Sequence, residues 1–271
     1  MESDELREFL EQYPRLFVLT GAGCSTDSGI PDYRDADGDW KRTPPVMFQA
    51  FMRDPQTRQR YWARSLVGWR RFRRASPNDA HRALARLERQ GRVELLVTQN
   101  VDRLHQAAGS TSVIDLHGRL DLVRCMSCGR RLPREELQKE LLVRNPLWAE
   151  LDARDAPDGD ADLEGLDFSR FDVPPCSQCG GLLKPDVVFF GESVPRERVA
   201  SAMLRLQQAD AMLVIGSSLM VYSGYRFAQA AALAGKPIAA VNLGRTRADE
   251  LLMLKVAQPC AAALAFLAES R

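Results

Sequence analysis

The sequence predicts an α/β fold, a Rossmann-like doubly wound parallel sheet with a smaller zinc-binding module. Three observations carry that expectation. Four short apolar runs, Leu16–Thr20, Leu95–Thr98, Met212–Ile215 and Ile238–Val241, each end in polar or glycine-rich sequence. Stretches with helical spacing separate them. Two C-x-x-C pairs, Cys125/Cys128 and Cys176/Cys179, bracket a region that breaks the alternation. Short, continuous, β-branched runs suit parallel strands buried on both faces. Strand–helix alternation suits a doubly wound sheet.

Leu16–Thr20 is the first strand, and Gly21-Ala22-Gly23-Cys24-Ser25-Thr26 follows it directly. Glycines at a strand-to-helix turn let backbone N–H groups approach a phosphate. The third glycine of the dinucleotide fingerprint is Thr26 here, and no acid stands at the end of a second strand about 20 residues on. That disfavours an ordinary hydride-transferring dehydrogenase. A purely structural turn stays open. Ser76-Pro77-Asn78-Asp79 reads as a helix start, with Ala83, Leu84 and Leu87 at helical spacing.

The run Leu95–Thr98 leads into Gln99-Asn100-Val101-Asp102. Ligands of doubly wound sheets sit beyond the carboxyl ends of strands. There a Gln, an Asn and an Asp suit ribose hydroxyls or a carboxamide, and Asp102 equally suits a cap for a helix over Arg103–Ala108. His117 ends the segment Ile114–His117 and precedes a glycine, so it is the candidate general base among three histidines. His81 and His105 fall within predicted helices, where packing is the ordinary expectation.

Two residues between thiolates let both sulfurs reach one tetrahedral metal, and two such pairs complete a closed Cys₄ site. Cys125, Cys128, Cys176 and Cys179 are therefore expected to hold one structural zinc. Between the pairs, Glu150–Asp172 carries nine acids and two arginines and reads as a long solvated loop. Helices are expected over Arg196–Ala209 and Tyr225–Ala234. Gly216-Ser217-Ser218 and Asn242-Leu243-Gly244 end the last two strands. The expected organisation is a sheet domain of 1–35, 76–120 and 183–271, a helical part of a smaller domain at 36–75, and a zinc module at 121–182.

The chain has 271 residues and 45% hydrophobic composition, enough for a sizeable core. Lys+Arg is 37 and Asp+Glu 36, so the basic excess of a duplex nucleic-acid binder is absent. The run Arg70-Arg71-Phe72-Arg73-Arg74 reads as a solvated helix end. No apolar run reaches the roughly 18 residues of a membrane span. Met1–Leu10 contains three Glu and an Asp, unlike a signal or transit peptide. The expectation is a cytoplasmic protein without nucleic-acid or membrane partners, compatible with a monomer.

Taken together these residues resemble the sirtuins, NAD-dependent protein deacylases. The matching motifs are Gly21–Thr26 with Gly29-Ile30-Pro31-Asp32-Tyr33-Arg34, Thr98–Asp102, His117-Gly118, the four cysteines, Phe190-Gly191-Glu192, Gly216-Ser217-Ser218 and Asn242. Arg60–Arg64, Lys184–Glu192, Val221–Phe227 and the long insert look like the class II branch. That branch includes the mitochondrial sirtuin with lipoamidase, acyl-lysine deacylase and ADP-ribosyltransferase activities, and a bacterial member is expected here.

The resemblance implies transfer of an acyl group from lysine to ADP-ribose, with nicotinamide released from NAD. It implies His117 as base, Asn100 positioning ribose and water, and Asp102 on the carboxamide. It places Gly21, Ala22, Gly23, Ser25, Thr26, Asp32, Tyr33, Arg34, Gln99, Gly216, Ser217, Ser218, Asn242, Gly244 and Cys260 around NAD. Acylated-lysine proteins are the implied partners, with Val188 and Phe189 lining the acyl tunnel. The peptide is implied to add as a strand between Gly191-Glu192 and Val221–Tyr225. Tyr61 and Arg64 resemble a pair that binds acidic acyl groups; the competing reading is a surface arginine in a helix with Tyr61 and Trp62 packed. Deacetylation is the default expectation. The alternatives are a lipoamidase or long- or acidic-acyl deacylase, a mono-ADP-ribosyltransferase or NAD hydrolase, and a non-enzymatic NAD sensor.

Overall fold

The structure, a computed structural model, describes residues 2–41, 45–151, 155–163 and 165–269. They form two compact units: 1–42, 76–116 and 194–271 in the first, and 43–75 and 117–193 in the second. The strands, in chain order, are β1 (Leu16–Thr20), β2 (Val93–Thr98), β3 (Val113–Asp115), β4 (Gly118–Cys125), β5 (Arg131–Pro133), β6 (Asp155–Ala156), β7 (Asp160–Ala161), β8 (Leu183–Val187), β9 (Ala211–Ile215), β10 (Ile238–Val241) and β11 (Leu254–Val256).

In the first unit six strands form one parallel sheet in the order β11-β10-β9-β1-β2-β3. This is the doubly wound order, whose strand sequence reverses between β1 and β9. β1, β9 and β10 are buried throughout, as continuous apolar runs require when both faces are covered. Alternate side chains divide between two cores. Leu16, Val18, Leu96, Leu213 and Ile215 pack with Leu6, Leu10, Leu84 and Leu264. Phe17, Leu19, Val97, Met212 and Val214 pack with Leu206, Phe227 and Ala231. The register aligns the carboxyl ends: Thr20 sits opposite both Thr98 and Ile215, and Ile215 opposite Val241. Gln99, Gly21, Gly216 and Asn242 therefore leave the sheet in one row.

The helix Asp79–Arg89 begins where the sequence places it. The Asn78 side chain accepts from the amides of Ala80 and His81. Arg196–Gln208 matches its expected helix within one residue. The helix expected at Tyr225–Ala234 starts earlier, at Tyr222, with Val221 as its cap. Tyr222–Tyr225 is thus the first turn of the helix and not an extended strand, with Gly224 N and Tyr225 N both donating to Val221 O.

In the second unit β5, β4 and β8 form an antiparallel sheet. β8 pairs with β4, so residues 183–193, together with 117–120, belong to this unit and not to the parallel sheet as the sequence suggested. Residues 36–75 divide as well, since 36–42 fall in the first unit. The helix Pro55–Phe72 supplies Trp62, Leu66 and Val67 to a core shared with Phe51, Val123, Leu141 and Phe171. Arg134 is fully buried there, and among the described residues no carboxylate pairs with its guanidinium. It lies over Trp62 and Trp69 at 5.4 and 5.1 Å and donates to Ser65, and burial lowers its pKa to about 10.

The acidic insert corrects another expectation. It folds: β6 and β7 form a hairpin, and Ala161, Leu163 and Phe171 are buried. Gln59 Nε2 donates to the carbonyls of Ser169 (2.9 Å) and Phe171 (3.1 Å). A Cβ on Gly68 would collide with the carbonyls of Gly159 and Asp160. Only glycine on the helix admits the insert this closely, which an acid count does not show. Gly68→Ala should cost about 1–3 kcal/mol or more through overpacking; a chemical-denaturation midpoint unchanged from wild type would contradict this packing.

Candidate functional site

At the carboxyl ends of β1 and β9 two turns press together. A Cβ on Gly23 would meet the Gly216 carbonyl oxygen at 3.0 Å, and one on Gly21 would meet Ser217 Cβ at 2.8 Å. Gly23 N donates to Gly216 O at 2.9 Å. Gly216 has φ +62, a conformation that favours glycine. This contact sets Ser25 and Ser217 beside the end of β2.

Ser25 is the hub. Its Oγ donates to Asp102 Oδ2 at 2.7 Å and accepts from Asn100 Nδ2 at 3.0 Å. Asn100 Nδ2 also donates to Gly21 O at 3.0 Å. Asp102 Oδ1 accepts from Leu104 N, the first amide of the short helix Leu104–Ala107, at 2.9 Å, while Oδ2 faces Ser25. Burial raises the Asp102 pKa, and the bonds from Leu104 and Ser25 oppose that rise. Gln99 Oε1 accepts from Ser217 Oγ at 2.6 Å. The structure thus gathers Gly21, Gly23, Ser25, Gln99, Asn100, Asp102, Gly216 and Ser217, from three separate stretches of sequence.

Other candidates lie around this group. Cys260 is buried and its Sγ contacts Gly23 O at 3.5 Å. Thr26 Oγ1 donates to Gly23 O at 3.1 Å. The Ser218 carbonyl accepts from Arg247 N. Asn242 Nδ2 donates to Gly244 O at 2.9 Å. Residues Asp32–Lys41 fold on themselves: Arg34 lies 3.9 Å over the Trp40 ring and donates to Gly38 O, Asp32 pairs with Lys41 at 2.5 Å, and Tyr33 meets Trp40 edge-on. Hydroxyl, amide and carboxylate groups converging at the switch point of a parallel sheet fit the ribose, amide and phosphate groups of a dinucleotide.

In the second unit His117 precedes β4, and its carbonyl accepts from Val188 N at 2.7 Å. Gly118 has φ +87, and a Cβ there would strike the Asp186 carbonyl. The segment Val188–Glu192 is held from below by Lys184. Its ammonium is buried, lies 4.5 Å from the Phe189 ring and pairs with Glu192 Oε2 at 3.0 Å. Glu192 Oε2 also accepts from Phe189 N at 2.9 Å, and Gly191 O accepts from Gln49 Nε2 at 2.9 Å. Neither Lys184 nor Gln49 was assigned a role from sequence. Lys184 carried two signals: it opens the Lys184–Glu192 segment of the resemblance, and it is one of only five lysines in an arginine-rich chain.

Tyr61 packs at 5.2–5.4 Å against Phe51, Trp62 and Phe189. Arg64 donates through Nε and Nη2 to both oxygens of Asp160, at 2.9 and 2.7 Å. Its planar fork is matched by a carboxylate of the same chain. This corrects the expectation that Arg64 waits for an acidic acyl group.

The four zinc-ligand candidates do meet. Their sulfurs all lie within 4.8 Å of one another, with Cys125–Cys179 at 3.5 Å and Cys128–Cys176 at 3.9 Å. Four thiolates about 2.3 Å from one tetrahedral zinc stand about 3.8 Å apart. The donor set fits a closed, structural zinc.

A profile of the Sir2 family matches residues 21–223. The chain belongs to the Sir2, or sirtuin, family. The NAD-dependent protein deacetylase 2 of Bradyrhizobium diazoefficiens is 68% identical over 267 residues, 98% of each chain. The NAD-dependent protein deacetylase of Xanthomonas campestris pv. campestris is 70% identical over 262 residues, 97% of this chain and 89% of that one. A solved Sir2 with p53 peptide and NAD+ is 31% identical with a TM-score of 0.76, covering 99% of this chain and 98% of the other. Sir2 bound to acetylated peptide is 30% identical with a TM-score of 0.75, at the same coverage.

Two outcomes follow for this sirtuin. Cys128→Ser should lose the four-cysteine zinc and lower the unfolding temperature; a variant that keeps its zinc under chelator dialysis would exclude these ligands. Asp160→Ala strands a part-buried guanidinium and should cost about 1–3 kcal/mol, tempered by the exposed edge of the pair. Arg64→Met with Asp160→Ala should recover part of that loss in a double-mutant cycle.

Proposed function

We propose that this sirtuin is an NAD-dependent protein-lysine deacetylase. The observation that carries the reading is the Ser25–Asn100–Asp102 cluster at the switch point, with Gln99–Ser217 beside it. The deacetylase names of relatives at 68–70% identity support it. So do the acetylated peptide and the NAD+ carried by solved Sir2 chains. When bound, NAD supplies the ribosyl carbon that accepts the acyl oxygen as nicotinamide departs.

The roles we assign rest on donor and acceptor chemistry. Asp102, oriented by Ser25 and the Leu104 amide, receives the carboxamide N–H groups. Asn100 spends its Nδ2 on Gly21 O and Ser25 Oγ, so it offers Oδ1 to a ribose hydroxyl or water. Ser217, Arg34 and the Gly21–Gly23 turn take the phosphates, and Asn242 and the Cys260 backbone take the adenosine. His117 is the base that removes a ribose hydroxyl proton. Val188 and Phe189 receive the acyl-lysine, on a segment fixed by Lys184 and Glu192. The structural zinc holds the Cys125–Cys179 module and takes no part in the chemistry, because four protein ligands leave it no open position.

We place the chain in the class II branch on Arg60–Arg64, Lys184–Glu192, Val221–Phe227 and the insert. Within that branch the Arg64–Asp160 pair favours a neutral acyl group over an acidic one. Four metal-binding thiols suit a reducing cytoplasm. No helix among the described residues is long and apolar enough to cross a membrane.

Nicotinamide release from NAD, measured with acetyl-, succinyl-, methylglutaryl- and lipoyl-lysine peptides, tests the reading. Release should depend on the acetylated peptide. It should fall by about 10²–10⁴-fold or more in His117→Tyr, the range that general-base loss spans. Release that needs no peptide, or that prefers the succinylated one, would overturn the assignment.

A further inference from the structure

Beneath the Gly21–Ser25 turn lies a second group of metal-type ligands. Cys24, His81 and His105 come from a loop and two helices, separated by 57 and 24 residues of sequence. Each is wholly buried, at 0–1% exposure. Cys24 Sγ and one ring nitrogen of each histidine lie within 4.8 Å of one another. The two imidazole rings are 4.7 Å apart.

The histidines are arranged as metal ligands are. A ligating imidazole has its other nitrogen fixed by an outer partner, which sets the ring's orientation. His81 Nδ1 lies 3.0 Å from Asn78 Oδ1 and 3.3 Å from Asn78 N, and its Nε2 lies 3.4 Å from Ser25 Oγ; in the tautomer whose Nδ1–H donates to Asn78 Oδ1, Nε2 presents a lone pair to the site. His105 Nε2 bonds Thr20 Oγ1 at 2.8 Å, and its Nδ1 is buried with no hydrogen-bond partner among the described residues. An unpaired buried ring nitrogen is costly and calls for a partner. Charge also balances. A divalent ion would meet one thiolate at Cys24, and the carboxylate of Asp102 lies one hydrogen bond away through Ser25.

We propose that Cys24, His81 and His105 form a second metal site, taking a borderline-soft divalent ion of the zinc type, and that its occupation inhibits this sirtuin. Binding forms one metal–sulfur and two metal–nitrogen bonds, and the Cys24 thiol proton passes to solvent. Nitrogen and sulfur donors suit such an ion, and three protein ligands are enough to hold it. Inhibition follows from position. Cys24 precedes Ser25, the hub that orients Asp102 and Asn100. Drawing Cys24 and His81 onto an ion removes the His81 approach to Ser25 and pins the turn proposed to receive NAD. Because the site is closed, the ion enters only as the turn opens, so inhibition sets in slowly.

The test uses the full chain with its four-cysteine zinc in place. Equilibrium dialysis against buffered Zn²⁺ should find a second equivalent in wild type and only the first in Cys24→Ala and His105→Gln. Each variant should bind the second ion about 100-fold more weakly or not at all. A ¹¹³Cd spectrum of cadmium-loaded wild type should show a second resonance upfield of the four-thiolate signal. Added Zn²⁺ should raise the KM for NAD in wild type and not in Cys24→Ala. A single equivalent in wild type, or a second one that persists in both variants, would overturn the site. Equal zinc sensitivity in wild type and Cys24→Ala would overturn the inhibition. If a variant fails to fold, the wild-type spectrum decides alone, since a lone four-thiolate resonance refutes the proposal. None of the metal counts depends on the deacetylase reading.

Discussion

The closeness of two turns governs the first unit. Gly23 and Gly216 lie backbone to backbone, and no side chain larger than hydrogen fits between them. The contact exists because β1 and β9 are adjacent, in register, and buried on both faces. It places Ser25 within hydrogen-bond reach of Asp102, 77 residues away, and Ser217 within reach of Gln99, 118 residues away. A hydrophobic sheet thereby aims polar groups, since fixed strand ends cost no further ordering when a ligand arrives.

The second unit solves a different problem. It pairs a three-stranded sheet and a two-stranded hairpin with an apolar core, and adds polar devices to it. Four thiolates are positioned for one ion. A guanidinium is buried against two tryptophans. An acidic insert is folded down by one bidentate ion pair and one glycine. Arg64 illustrates how a side chain's chemistry is decided by what reaches it first. A motif that suits a substrate carboxylate is satisfied instead by Asp160.

Lys184 and Glu192 show the same principle in reverse. Their pairing costs desolvation, and burial lowers the Lys184 pKa. The return is a fixed loop, because Glu192 also holds the Phe189 amide. A buried pair is weak evidence for stability but can impose one conformation. Here that conformation belongs to the segment proposed to receive the acyl-lysine.

Much of this was legible in the sequence because it is local. Continuous apolar runs gave β1 and β10 in full and the cores of β2 and β9. Asn78 announced its helix through cap chemistry, and C-x-x-C spacing named the metal ligands, since two intervening residues bring two sulfurs to one ion. What the tertiary structure alone decided lies far apart in the chain. β8 left the parallel sheet to pair with β4. Tyr222–Tyr225 became helix. Asp160 claimed Arg64 across 96 residues, and Cys24, His81 and His105 met beneath a turn. Periodicity and spacing encode which face a residue turns inward. Only packing encodes which other residue it finds there.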